Sequence, residues 1–111
     1  MITLTNTTHI LELTTVSATN IDVFISFADH TTTGATLGDQ QTLITTATTT
    51  TILSAPAAST QRQIKYVIIN NTSSSSNDVV VKKDISGTEY DLFTVTLGPK
   101  EALHYLDGKG W

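Results

Sequence analysis

Ile21-Asp22-Val23-Phe24-Ile25-Ser26-Phe27 is the stretch whose reading decides the fold. Apolar residues at every second position are the signature of a β-strand with one buried face, because successive side chains of a strand point to opposite sides. Ile21, Val23, Ile25 and Phe27 therefore belong to a core, and Asp22, Phe24 and Ser26 face away from it. Phe24, alone among the outward set in being large and apolar, calls for cover of its own. Residues 64–69 strengthen the reading. Ile64, Tyr66 and Ile68 alternate with Lys65, Val67 and Ile69, and a strand apolar on both faces is expected in the middle of a sheet.

Working outward, Thr72-Ser73-Ser74-Ser75-Ser76-Asn77-Asp78 reads as a polar loop leading to the strand Val79-Val80-Val81-Lys82-Lys83. Ile85-Ser86-Gly87-Thr88 supplies a turn before a strand from Tyr90 to Leu97. Gly98-Pro99 then turns the chain into a last strand from Glu101 to Leu106. In the front half, Leu4 and His9 to Thr14 form one or two strands, and Thr42 to Ala47 with Thr51 to Leu53 form another pair. Asp29 to Gln41 holds two glycines and no clear alternation, which predicts a long exposed loop of the kind that carries contacts. Pro56 marks the crossover between halves. No three-turn window has helical periodicity. The expected fold is all-β, a single antiparallel β-sandwich of about eight strands with jelly-roll or immunoglobulin-like topology.

The 111 residues suffice for one domain with one modest core, with residues 1–8 as a possible N-terminal arm. Twenty-three Thr and 9 Ser against 14 % charged residues predict a surface covered by hydroxyls rather than ions. With a formal charge of only −4, electrostatic repulsion between copies is weak, which suits a component of an assembly. No basic cluster exceeds Lys82-Lys83, so counterion release offers little to nucleic-acid binding. The absence of Cys removes disulfides, thiolate nucleophiles and Cys-ligated zinc together. Met1 to Asn6 carries neither a basic nor an apolar leader, and no apolar run approaches the roughly 18 residues that span a bilayer. A protein made in a cytoplasm, with no membrane partner, is expected. The Asn-x-Thr/Ser triplets at Asn6, Asn70 and Asn71 are read as chance matches in a Thr-rich chain.

Chemistry-bearing motifs are sparse. His9, His30 and His104 are the only imidazoles and are too scattered to put two metal ligands on one element. Asp29-His30 with Thr31 has the residue types of a nucleophilic triad, but adjacent loop residues do not hold the geometry such catalysis needs. Glu89 and Asp91 share a strand face without the aromatic groove of a sugar-cleaving site, and Gly108-Lys109-Gly110 opens no helix to cradle a phosphate. No catalytic, cofactor-binding or metal-ligating residue is assigned, and the chain is read as not an enzyme. Trp111, costly to expose, is expected to fold back over the sandwich or to fill a pocket on a neighbour.

One resemblance adds to this reading. Ala55 to Ala58, Gln61-Arg62-Gln63, Ile68-Ile69-Asn70-Asn71, Val79 to Asp84 and the closing Tyr105-Leu106-Asp107-Gly108-Lys109-Gly110-Trp111 occur in an order similar to that of a recurrent small virion protein of tailed phages. Roughly half of the chain, from about Leu53 onward, carries the likeness. It implies a non-enzymatic structural protein, most plausibly a decoration or cement protein on the outer head surface, with the major capsid protein as partner and self-association, a trimer included. The alternative is a tail fibre or baseplate module that binds a host receptor or an adaptor. Contacts are expected from the arm (Met1, Ile2, Leu4), from the 29–41 loop (His30, Leu37, Gln40) and from Trp111.

Overall fold

The computed structural model describes residues Met1–Trp111 as nine strands and no helix. These are β1 (Ile2–Leu4), β2 (His9–Thr15), β3 (Ile21–Thr31), β4 (Gly34–Ile44), β5 (Thr49–Leu53), β6 (Gln61–Asn71), β7 (Asn77–Ile85), β8 (Thr88–Leu97) and β9 (Ala102–Leu106). They form two antiparallel sheets. The larger runs β6–β3–β4, with β1 and β9 both on the outer edge of β6, and the smaller runs β5–β2–β7–β8. Of the two topologies left open by the sequence, the adjacency is the immunoglobulin-like one: β5–β2 corresponds to strands E and B, and β9–β6–β3–β4 to G, F, C and C′. The β7–β8 hairpin, inserted before the last strand, lies beside β2 where strand A would be.

The inner faces supply a core cluster of 16 buried residues, among them Leu11, Leu13, Ile21, Ile25, Ile52, Leu53, Ile64, Val67, Ile69, Val79 and Val81. Each such Leu, Ile or Val contributes about 1.5–3 kcal/mol by leaving water, which is what holds the sheets together without a disulfide. At one pole two buried asparagines staple loops to strands. Asn77 Oδ1 accepts from the Val16 and Ser17 amides at 3.1 and 3.0 Å, and Asn71 Nδ2 donates to the Ser75 and Gly98 carbonyls at 2.7 and 3.0 Å. At the other pole the Arg62 guanidinium grips both Asp29 oxygens at 2.8 and 2.9 Å and lies 4.0 Å over the Phe27 ring.

Three expectations change. Asp29 to Gln41 is not a loop: β3 and β4 pair without interruption from Ile21↔Ile44 to Thr31↔Gly34, closed by Thr32-Thr33. The turn escapes sequence reading because it lacks the usual Asn-Gly or Asp-Gly pair. Its reversal instead uses Gly34 at φ 145° and the Thr31 hydroxyl, which receives the Thr33 amide at 3.3 Å. The face assignment of residues 64–69 also changes. The pairing with β3 skips Lys65, so Ile64 faces the core but beyond that bulge Val67 and Ile69 do, and Tyr66 and Ile68 turn outward. The bulge sits where β6 exchanges β1 for β9 as its edge partner.

Finally, residues 1–8 do not form a free arm. Ile2–Leu4 pairs with Arg62–Ile64, Leu4 is fully buried, and the Lys83 ammonium donates to the Thr3 carbonyl at 2.7 Å from the opposite sheet. Hydrophobic spacing alone does not reveal this, because a three-residue strand is too short to show a period.

Candidate functional site

The outer faces of the two sheets differ. On β2, β7 and β8 the outward positions include Thr14, Lys82, Asp84, Glu89, Asp91 and Thr94, a face of ions and hydroxyls in which Glu12 is half-buried. On the larger sheet the register places three rows of four side chains across β9, β6, β3 and β4. They are Leu106–Tyr66–Ser26–Asp39, His104–Ile68–Phe24–Gln41 and Ala102–Asn70–Asp22–Leu43. No layer covers them. Phe24 is 37 % exposed, Leu106 46 % and Leu43 64 %, so the cover expected for Phe24 is absent.

Phe24, Ile68 and Leu43 wall a shallow groove of about 410 Å³ whose rim carries Asp22, Gln41 and Asn70. Cross-strand neighbours stand about 4.5–5.5 Å apart, so these side chains converge on one small area. Gln41 donates its Nε2 to Asp39 at 3.0 Å and keeps its carbonyl oxygen free, while Asp22 and Asn70 have no side-chain partner in the protein. Beside the groove, the Tyr66 hydroxyl and His104 Nδ1 are 2.6 Å apart with their rings edge-on. The face is thus apolar and aromatic at its centre, with amide and carboxylate groups at the rim and no Lys or Arg in the three rows.

The contact residues expected from sequence divide in two. Met1, His30 and Leu37 do reach the outer side of the larger sheet. Gln63 gathers the first two, its Nε2 lying 3.2 Å from Met1 Sδ and its Oε1 3.0 Å from His30 Nε2, and Leu37 is 81 % exposed. Ile2, Leu4, Gln40 and Trp111 turn inward instead. Ile2 donates its amide to the Tyr105 hydroxyl at 3.1 Å, and Gln40 Oε1 accepts from the Ser54 amide at 3.0 Å. Trp111 stacks on Phe93 of β8 at 5.4 Å and tilts against Tyr105 of β9 at 4.9 Å, closing the gap between the sheets rather than reaching out. Burial raises the Tyr105 hydroxyl's pKa above the ordinary value, against the opposing Ile2 hydrogen bond, and keeps it a neutral phenol. Asp29 and His30, adjacent in sequence, lie on opposite faces of β3, one held by Arg62 and the other by Gln63.

Sequence reading missed Asp22, Gln41 and Asn70 as a group. The alternation of β3 already places Asp22 beside Phe24 on the outward face, but bringing residues 41 and 70 to them requires the register of two further strands.

The second feature is an edge. β4 pairs only with β3, so along its free side an 11-residue strand presents unpaired backbone groups. Its one charge is Asp39, and it carries no Lys, Arg or Pro and no bulge against β3, other devices by which exposed edges are ordinarily protected from pairing.

Fold, face and edge define a class: a nine-stranded antiparallel sandwich of immunoglobulin-like adjacency with one open face and one long free edge. No family model, curated protein or solved structure matches the chain.

Proposed function

We propose that this protein is a non-enzymatic structural component of a phage virion, a decoration or cement protein that binds the major capsid protein on the outer head surface. The order of motifs from Leu53 to Trp111 supports the particle, and the β4 edge supports the mode of attachment. A free strand of this length, with Asp39 its only charge and with Leu37 and Leu43 standing out of it, is suited to pairing with an extended segment of a neighbour. Main-chain hydrogen bonds then supply affinity, and the two leucines supply specificity. A module that binds the assembled lattice and not its free subunits stabilises the lattice by mass action. Self-association, as a trimer on local threefold axes, multiplies the effect through avidity.

A second reading, a tail fibre or baseplate module for a host receptor or adaptor, is favoured by the open groove around Phe24. Co-sedimentation separates the two. Labelled protein is mixed with heads lacking it and, in parallel, with isolated tails, and copies per particle are counted. Saturable head binding at a number set by the lattice symmetry is expected; binding to tails alone at a few copies overturns the head assignment.

A further inference from the structure

We infer that the groove on the open face of the larger sheet is a binding site for neutral carbohydrate. The inference holds wherever on a particle the protein sits, because a strand added along β4 extends this face without covering it.

Three observations carry it. First, Phe24 stands uncovered at the centre of the middle row, flanked by Ile68 and facing Leu43 across the groove. A pyranose offers one face of C–H groups, which packs on an aromatic ring while its edge remains polar. A flat aromatic platform in a shallow cleft matches that amphipathic shape, whereas a purely apolar ligand would leave the rim groups without partners.

Second, the rim is made of the groups that bind hydroxyls. The Asp22 carboxylate accepts from two hydroxyls at once, Asn70 both donates and accepts, and the free Gln41 carbonyl oxygen accepts. Other amides and carboxylates are satisfied internally, as Gln63 is with Asp107 at 2.6 Å and Asp29 with Arg62 at 2.8 Å, and the exposed Asp91 and Gln61, also without partners, stand apart on different sheets. At the groove alone a carboxylate and an amide converge on an aromatic ring without partners of their own.

Third, charge selects the class of sugar. The three rows carry Asp22 and Asp39 and no Lys or Arg, so uronates and sialylated or phosphorylated glycans are repelled. About 410 Å³ accommodates one or two sugar rings, which implies recognition of a short stretch or an end of a chain.

The test is an amide-resolved NMR titration of the full chain with cellotetraose, maltotetraose and chitotetraose, and with trigalacturonate as the anionic comparison. The expected result is saturable shifts from at least one neutral tetrasaccharide, confined to residues 22–24, 41–43 and 68–70. Phe24→Ala and the isosteric Asp22→Asn should each weaken it roughly tenfold, as loss of a stacking surface or of a charge-assisted hydrogen bond does. Phe24→Ala is checked for an unchanged spectrum away from the groove. Because Asp22→Asn removes no volume, it keeps the test valid if the first variant perturbs the sheet. Silence of the groove to all three neutral sugars, shifts elsewhere on the surface, tighter binding of trigalacturonate, or unchanged affinity in Asp22→Asn would overturn the assignment.

Discussion

The Phe27 ring lies on the backbone of Gly38. A Cβ at position 38 would come within 2.8 Å of the ring's Cζ, and the Arg62 guanidinium lies over the same ring, 4.0 Å from its centroid. Gly38 is therefore required for space and not for backbone freedom. Gly38→Ala is expected to destabilise the protein by about 1–3 kcal/mol through overpacking. The measurement is the urea midpoint, and an unchanged midpoint would show that the ring moves aside freely.

Asn77 holds the β2–β3 connection through four hydrogen bonds, to the Val16 and Ser17 amides, the Ser17 carbonyl and the Thr19 hydroxyl, at 2.7 to 3.1 Å. Asn77→Ala strands these groups near the core, at a cost of about 2–4 kcal/mol. Ser76→Ala next to it, exposed and without such bonds, is expected to stay within about 0.5 kcal/mol. Equal midpoints for the two variants in chemical denaturation would contradict the assignment.

Glu12 is a built-in pH liability. Its Oε1 is cut off from solvent without a hydrogen-bond partner. Burial first, then the neighbouring Glu89 carboxylate and the charge of Asp84, raise its pKa above the ordinary value, with Lys82 opposing. The folded state then binds more protons at this site than the unfolded chain does. Stability accordingly falls as pH rises from the ordinary glutamate range through the raised value, and the deficit persists above it. Glu12→Gln should raise Tm at neutral pH and give no gain at pH values below the ordinary glutamate range. A constant difference in Tm across pH would place the effect in packing instead.

Trp111, the only tryptophan, joins β8 to β9 through Phe93 and Tyr105. Its emission should shift to longer wavelength cooperatively with loss of β-sheet circular dichroism. Trp111→Ala should cost about 2–4 kcal/mol, somewhat below a fully buried aromatic because the ring is half-buried. Emission that changes well before the sheet signal would show the C-terminal clasp opening independently.

The β4 edge is tested with one charge. Leu37→Lys places on an exposed strand the residue most often used to block edge pairing, at a site where stability should change by under about 0.5 kcal/mol. Loss of head co-sedimentation with an unchanged Tm is expected. Full binding by the variant would remove β4 from the interface.

Local alternation made most of the sandwich legible. Ile21, Val23 and Ile25 are core residues as their spacing requires, and the turn at Ser86-Gly87, with φ of 53° and 93°, is the hairpin reversal its sequence announces. Where a regular period was interrupted, reading failed. The unpaired Lys65 reversed the faces of Tyr66 to Ile69, and the Thr32-Thr33 turn hid an 11-pair hairpin inside an apparent loop.

By itself, then, the sequence determined an all-β chain without disulfides, a hydroxyl-rich surface of low charge and the positions of most strands, because period and composition are properties of neighbouring residues. Only the tertiary structure decided that Leu4 and Trp111 are structural, that Asp29 and His30 face apart, and that Asp22, Gln41 and Asn70 surround Phe24. Those are relations between strands, and register across a sheet depends on long-range pairing and on bulges that no local pattern encodes.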